Sequence, residues 1–113
     1  MSQLAALGLT VLVECVVLAL LWGLAKPLRA RGPLHEWLLI GAAASLITHP
    51  VMWWCWSMVP GTFWFRFVLW ESLVVSAEAT LYRSVFALRW PQALGASALL
   101  NACSAGVGLL IQS

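Results

Sequence analysis

The chain has 113 residues, of which 63% are hydrophobic and only 9% are charged. An ordinary soluble domain has about 45 to 50% apolar and about 25% charged residues, so the composition predicts an integral membrane protein with no separate soluble domain. The formal net charge of +2 is small, and the six basic residues are scattered. This pattern excludes the continuous basic surface that nucleic-acid binding needs.

Four apolar segments are long enough to cross a membrane, because a bilayer core of about 30 Å takes about 20 residues of α-helix. They cover residues 4–25, 34–58, 62–83 and 92–111. Prolines and polar residues separate them, as in KPLRARGP after the first segment. We therefore expect an all-α polytopic membrane protein, in which four transmembrane helices form a compact bundle and a single domain over residues 1–113.

The basic residues indicate how these helices are oriented. Five of the six fall in the two connections on one side of the bundle, and they are Lys26, Arg29, Arg31, Arg83 and Arg89. Short loops rich in lysine and arginine stay on the cytoplasmic side of a membrane. The sequence therefore predicts that both termini lie on the outer face of a bacterial inner membrane.

The tryptophans, eight in all, lie mainly near the expected ends of the helices. An indole ring favours the membrane interface, because its apolar body lies in lipid while its N–H donates to a wet partner. At the expected outer surface, the predicted interfacial anchors are Trp53, Trp54, Trp56 and Trp64. At the expected inner surface, the corresponding residues are Trp22, Trp37 and Trp90.

The second apolar segment contains SLITHPVMWWCWSMVPG, which places His49 and Pro50 inside a predicted transmembrane helix. Proline lacks a backbone N–H, so Pro50 leaves the carbonyl of Leu46 without its helical hydrogen bond. We expect a kink at Pro50, with the carbonyl satisfied by a nearby hydroxyl or a neighbouring helix. The alternative is that carbonyl and imidazole together form a small cation or proton site, as broken helices do in transporters.

Each predicted helix also carries a polar side chain near its middle. These residues form the predicted polar seam, which consists of Glu14, His49, Glu71, Glu78 and Asn101. A charged side chain at the bilayer centre costs about 2.5 to 3.5 kcal/mol on insertion scales, so the seam should face the bundle interior, with Glu71 deepest. The seam is either structural, through interhelical hydrogen bonds, or a proton relay through Glu71, His49 and Glu78.

Small and polar residues accompany the seam at helical spacing. In the fourth helix they are Ser97, Asn101, Ser104 and Gly108. In the second helix they are Gly41, Ser45 and Thr48, with His49 beside them. Such faces permit close helix packing, so both are expected to point toward the bundle interior.

Other chemistries find less support in the sequence. Glu14, Glu71 and His49 are suitable metal-ligand types, but the ExxH pair of di-iron bundles is missing, so no metal site is predicted. No cofactor is predicted either, although His49 could ligate a haem, a chlorophyll-type pigment or a metal. The sequence contains no nucleophile elbow or readable triad spacing, and no catalytic residues are predicted.

The first predicted helix resembles that of the small multidrug resistance transporters. The resemblance rests on Glu14 in LTVLVECVV, on the chain length and on the four-helix layout, together with AGVGLLI in the fourth helix. In that family an essential glutamate occupies the position that Glu14 matches. The Glu71 and Glu78 pair and the His49-Pro50 break depart from the family pattern, and the match covers one predicted helix of four.

Two functions follow as expectations. The first is an accessory or assembly subunit of a larger membrane complex, because the chain has almost no extramembrane mass. Its partners would be the lipid bilayer and other membrane subunits, or further copies of itself. The alternative is a small proton-coupled transporter or ion-conducting element that works through Glu71, Glu78, His49 and Glu14. Neither expectation includes an enzymatic activity, and the sequence does not favour one.

Overall fold

The computed structural model describes residues 2–112, and its regular secondary structure in that range is entirely helical, with no strand. Its α-helices are α1 (Gln3–Leu24), α2 (Lys26–Arg29), α3 (Leu34–Cys55), α4 (Phe63–Phe86) and α5 (Trp90–Gln112), and a 3₁₀ turn (Trp56–Met58) follows α3. The predicted all-α fold is confirmed. The predicted count of four helices is not, because the short α2 brings the number of α-helices in the described chain to five.

The additional helix lies in the connection that the sequence placed between the first two spans. Pro27 lies at its start, where a missing N–H costs no hydrogen bond. Two indole rings hold the connection: Trp22 Nε1 donates to the carbonyl of Gly32, and Trp37 Nε1 donates to the carbonyl of Leu28, both at 3.0 Å. These bonds fold what was expected to be a plain loop back onto the end of the bundle.

Pro50 lies inside α3, and helical structure continues on both sides of it to Cys55. The predicted kink is therefore not confirmed. The hydroxyl of Thr48 lies close to the carbonyl of Leu46 in sequence, but it donates instead to the carbonyl of Ala44 at 2.9 Å. His49, one residue before the proline, is buried.

The four long helices run alternately up and down. Helix α1 packs against α3 and α5, and α4 packs against the same two helices, so the four surround a common interior. The bundle measures 41 × 24 × 19 Å along its principal axes. Its longest dimension is close to the thickness of a bilayer including headgroups, about 40 to 45 Å.

Three stretches are long and apolar enough to cross a membrane, namely α1, α3 with its 3₁₀ extension, and α5. Helix α4 has 24 residues, which is sufficient length, but it is the least apolar of the long helices. It carries Arg66, Glu71, Glu78 and Arg83. The fold is therefore that of a helical membrane protein with one long helix of mixed character.

Aromatic side chains fill the end of the bundle near α2. Trp37 is fully buried and stacks on Phe86, with ring centroids 3.6 Å apart and planes 10° apart. Tyr82 packs beside it at 5.6 Å, and is also buried. We call Trp37, Tyr82 and Phe86 the aromatic layer. The sequence placed Trp37 at the membrane interface, whereas its ring lies in the core.

Candidate functional site

Polar side chains from all four long helices meet in the interior of the bundle. They are Glu14 from α1, Ser45 and His49 from α3, Glu78 from α4, and Asn101 from α5. None of these five side chains is more than 5% exposed. We call them the central cluster. Apart from Ser45, all belong to the predicted polar seam.

Two members of the central cluster lie on one face of helix α3. Ser45 and His49 are one turn apart, so both side chains point the same way. Gly41 lies one further turn back, and an added Cβ there would come within 2.9 Å of Leu18 on α1. The glycine thus lets α3 approach α1 closely enough for Ser45 to reach Glu14.

The predicted stripe on α5 also faces inward. Ser97, Asn101 and Ser104 are all buried. Ser97 donates to the carbonyl of Val75 at 2.8 Å, a bond from α5 to α4 that sets the alignment of the two helices. That alignment brings Asn101 level with Glu78.

Each of the two buried carboxylates has one oxygen held by a neighbouring helix. Ser45 donates its hydroxyl to Glu14 Oε2. Asn101 donates from Nδ2 to Glu78 Oε1 at 2.8 Å, and the same amide group reaches the carbonyl of Ser97 at 2.9 Å. One hydroxyl donor therefore orients Glu14, and one amide donor orients Glu78.

Glu14, His49 and Glu78 each also have a buried polar atom that is not hydrogen-bonded to any residue the structure describes. Within residues 2–112, Glu14 Oε1, His49 Nε2 and Glu78 Oε2 have no hydrogen-bond partner. Glu14 Oε1 lies 3.6 Å from His49 Nε2, as an ion pair would if the imidazole were protonated. One donor atom from each of these three residues lies within 4.8 Å of the other two.

A cavity of about 150 Å³ leads from the end of the bundle opposite α2 to His49. Its polar lining comes from Thr10, His49, Glu71 and Ser104. We call this cavity the vestibule. Because the aromatic layer fills the other end of the bundle, the central cluster is approached from one side in this structure.

Glu71 stands apart from the central cluster. Its side chain is half-buried and lines the vestibule, and it also borders a groove between α4 and α5. The sequence placed Glu71 at the deepest point of the seam. In the structure Glu78 is the more buried of the two, since it is 1% exposed and lies two helical turns further along α4, whereas the depth of Glu71 in a membrane stays a prediction.

The four tryptophans predicted as outer anchors divide into two pairs. Trp54 and Trp64 are exposed, at 83% and 62%. Trp53 and Trp56 are half-buried and line the vestibule, and the ring of Trp53 is 6.4 Å from that of His49. An anchoring role stays a prediction for all four.

Ser45 and Tyr82 are the parts of this interior that the sequence did not single out as site residues. The spacing of Gly41, Ser45 and His49 on one helix face was the available signal for Ser45. Tyr82 is buried, and its hydroxyl has no hydrogen-bond partner in the described part of the chain. Its spacing of four residues from Glu78 predicted that the two side chains share a face of the helix.

The fold and the site together define a helical membrane protein with a buried carboxylate and imidazole cluster, of which His49 lines a cavity at one end of the bundle. Comparisons with protein-family models, with curated proteins and with solved structures find no match.

Proposed function

We propose that the protein is a small membrane carrier or conducting element for cations, protons included, and that the central cluster is its binding site. The observation that supports this proposal is the convergence of Glu14, His49 and Glu78, whose donor atoms lie within 4.8 Å of one another in the bundle interior. Ionisable groups are costly in such an environment and mark ion or proton pathways in membrane proteins.

The vestibule supplies the route that a carrier needs. It is wide enough for water, since a single water needs about 10 to 15 Å³ of this kind of space. A cation entering it meets Glu71 and Ser104 on the wall and then His49. In the proposed cycle the aromatic layer opens for release on the other side, and the arrangement with an open vestibule is one of the states.

The proposal includes an orientation in the membrane, which we call the proposed membrane frame. Helix α4 spans the membrane together with α1, α3 and α5, and its charged residues near the middle face the interior rather than lipid. The loops that contain Lys26, Arg29, Arg31, Arg83 and Arg89 lie on the cytoplasmic side of a bacterial inner membrane, and the vestibule opens outward. Met1 and Ser113, whose positions were predicted to be outside, fall beyond the described residues. A kink at Pro50 would help the vestibule side move during transport.

Reconstituted vesicles provide the test. The full chain is placed in liposomes that contain a pH-sensitive dye and a zinc-sensitive dye, and a gradient of protons or Zn²⁺ is imposed. We expect uptake by the parent and loss of uptake in Glu78→Gln. The control is Glu36→Gln, because Glu36 is an exposed carboxylate outside the site. If the parent moves neither cation faster than empty liposomes, the carrier proposal is wrong.

A second candidate function is supported by α4. Four hydroxyl residues, Ser72, Ser76, Thr80 and Ser84, recur every fourth position on an exposed face. Each donates to the carbonyl four residues earlier at 2.7 or 2.8 Å, so no hydroxyl needs an external partner. Small residues at this spacing allow transmembrane helices to approach closely. This favours an accessory subunit whose α4 packs on a transmembrane helix of another membrane protein.

Purification from membranes distinguishes the candidates. An accessory subunit should co-purify with one other membrane protein at fixed stoichiometry, and Thr80→Leu should release that partner while Val85→Leu, on another exposed face, should not. A homodimer that dissociates in Thr80→Leu would assign the face to self-association. A monomer with unchanged behaviour in both variants would contradict the subunit proposal.

A further inference from the structure

We propose that the central cluster binds one divalent transition metal ion, with Glu14, His49 and Glu78 as its protein ligands. The metal site rests on the proposed function, because it names the cation that the same cluster would take up. The sequence placed all three residues in the polar seam but considered Glu71, rather than Glu78, beside Glu14 and His49 as a metal-ligand type.

The first support is the spacing of the donor atoms. Zinc binds imidazole nitrogen and carboxylate oxygen at about 2.0 to 2.2 Å, which puts neighbouring ligand atoms of a tetrahedron about 3.4 Å apart. The three donors lie within 4.8 Å of one another. The proposal requires the two glutamate side chains to rotate so that the donor atoms approach to this spacing.

The second support is the set of atoms without hydrogen bonds. Glu14 Oε1, His49 Nε2 and Glu78 Oε2 are buried, and nothing within the described chain donates to them or accepts from them. Buried polar atoms are normally paired, so three such atoms from three helices are suited to a common ligand. A cation bound between them satisfies all three.

The third support is the pattern of outer contacts. In metal sites the ligating carboxylates are themselves hydrogen-bonded, which fixes their orientation. Here Ser45 donates to one oxygen of Glu14, and Asn101 donates to one oxygen of Glu78. The other oxygen of each glutamate is the one left free.

The fourth support is the charge of the two buried glutamates. Two carboxylates that are both ionised in a low-dielectric interior need a compensating positive charge, because an unpaired buried charge is strongly unfavourable. In the described structure the ion pair of the cluster is between Glu14 and His49, with no lysine or arginine taking part. A divalent ion neutralises both glutamates and leaves His49 as a neutral ligand.

The donor types select the class of metal. One imidazole with two carboxylates, and no thiolate, suits Zn²⁺, Mn²⁺ or Fe²⁺. Three protein ligands leave a fourth position open on zinc, as in sites that exchange ligands rather than structural ones. His49 lines the vestibule, so a water molecule or an incoming anion can reach that position.

Metal binding by the purified full chain in detergent tests the proposal. The protein is stripped with a chelator, loaded with Zn²⁺ and washed, and we expect about one zinc per chain. Co²⁺ should replace zinc and give the visible absorption of a low-coordinate site. Glu14→Gln, His49→Asn and Glu78→Gln should each weaken binding by at least about tenfold. Glu36→Gln, at an exposed carboxylate outside the site, should bind like the parent.

Size-exclusion profile and helical circular dichroism show whether each variant is folded. The wild-type measurement does not depend on the variants: a folded parent protein that retains no zinc and gives no Co²⁺ absorption would overturn the metal site. Cation uptake in vesicles is a separate readout. Zinc binding without uptake would disprove the carrier and keep the metal site, whereas proton uptake unaffected by chelator, with no zinc bound, would do the reverse.

Discussion

Asn101 on α5 donates a hydrogen bond to Glu78 on α4 at 2.8 Å, in a part of the bundle from which solvent is excluded. The amide also contacts the carbonyl of Ser97, one turn away on its own helix. This double contact fixes the rotamer of Asn101 and so the position of the Glu78 carboxylate. It explains why Glu78, and not Glu71, joins Glu14 and His49.

Replacing Asn101 by leucine should therefore destabilise the bundle. Asn101→Leu leaves Glu78 Oε1 without its donor, and interhelical hydrogen bonds of this kind contribute about 0.6 to 2 kcal/mol. The free energy of unfolding, measured by denaturant titration in detergent, should fall by about that amount. Leu99→Ala, an exposed position on the same helix, is the control and should change it little. Equal stability of Asn101→Leu and the parent would rule out the contact.

Ser45 should control metal affinity without being a ligand. Ser45→Ala removes the donor to Glu14 Oε2, and loss of an outer contact of this type lowers metal affinity by about 10- to 100-fold. The matched control is Thr48→Ala, because the Thr48 hydroxyl donates within its own helix. Competition with a fluorescent zinc chelator gives the affinities. The same zinc affinity in both variants would remove Ser45 from the site.

The aromatic layer should be the most sensitive part of the core. Trp37→Ala removes a fully buried ring that stacks on Phe86 and donates to Leu28, and truncations of this kind cost about 3 to 5 kcal/mol. Trp54→Ala, at an exposed tryptophan of α3, should cost little. Thermal unfolding in detergent compares the two. Similar melting temperatures would show that the layer does not close the bundle.

The sequence predicted which residues face the bundle interior better than it predicted how the helices are aligned along one another. Helical spacing identified the inward faces of α3 and α5, because polar and small residues repeat there every three or four positions. Glu14, His49 and Asn101 were accordingly expected in one interior, and the structure brings them together. These expectations depend only on periodicity within a single helix.

The relative alignment of helices was not accessible in the same way. Glu71 and Glu78 are seven residues apart and lie on the same face of α4, so periodicity cannot choose between them. The choice depends on how far α4 is shifted along α5, which the Ser97 contact with Val75 determines. For a similar reason, position along the helix could not show whether the ring of Trp37 turns toward lipid or into the core.

Labelling of single cysteines tests the proposed membrane frame. Ser57 lies in the 3₁₀ turn that precedes α4, Arg89 follows α4, and both are exposed, so a spanning α4 places them on opposite sides of the membrane. In a background without the three native cysteines, a membrane-impermeant maleimide added to whole cells should label Ser57→Cys and spare Arg89→Cys. Labelling of both positions from outside would contradict a spanning α4.

The most direct test of the central claim is X-ray absorption at the zinc edge on the loaded parent protein. The account predicts a first shell of nitrogen and oxygen at about 2.0 to 2.2 Å, with outer scattering from a single imidazole. Glu78→Gln, if it holds zinc at all, should lose one oxygen from that shell. A zinc–sulfur distance of about 2.3 Å, which would indicate a cysteine such as Cys15, or a shell without imidazole, would contradict the site formed by Glu14, His49 and Glu78.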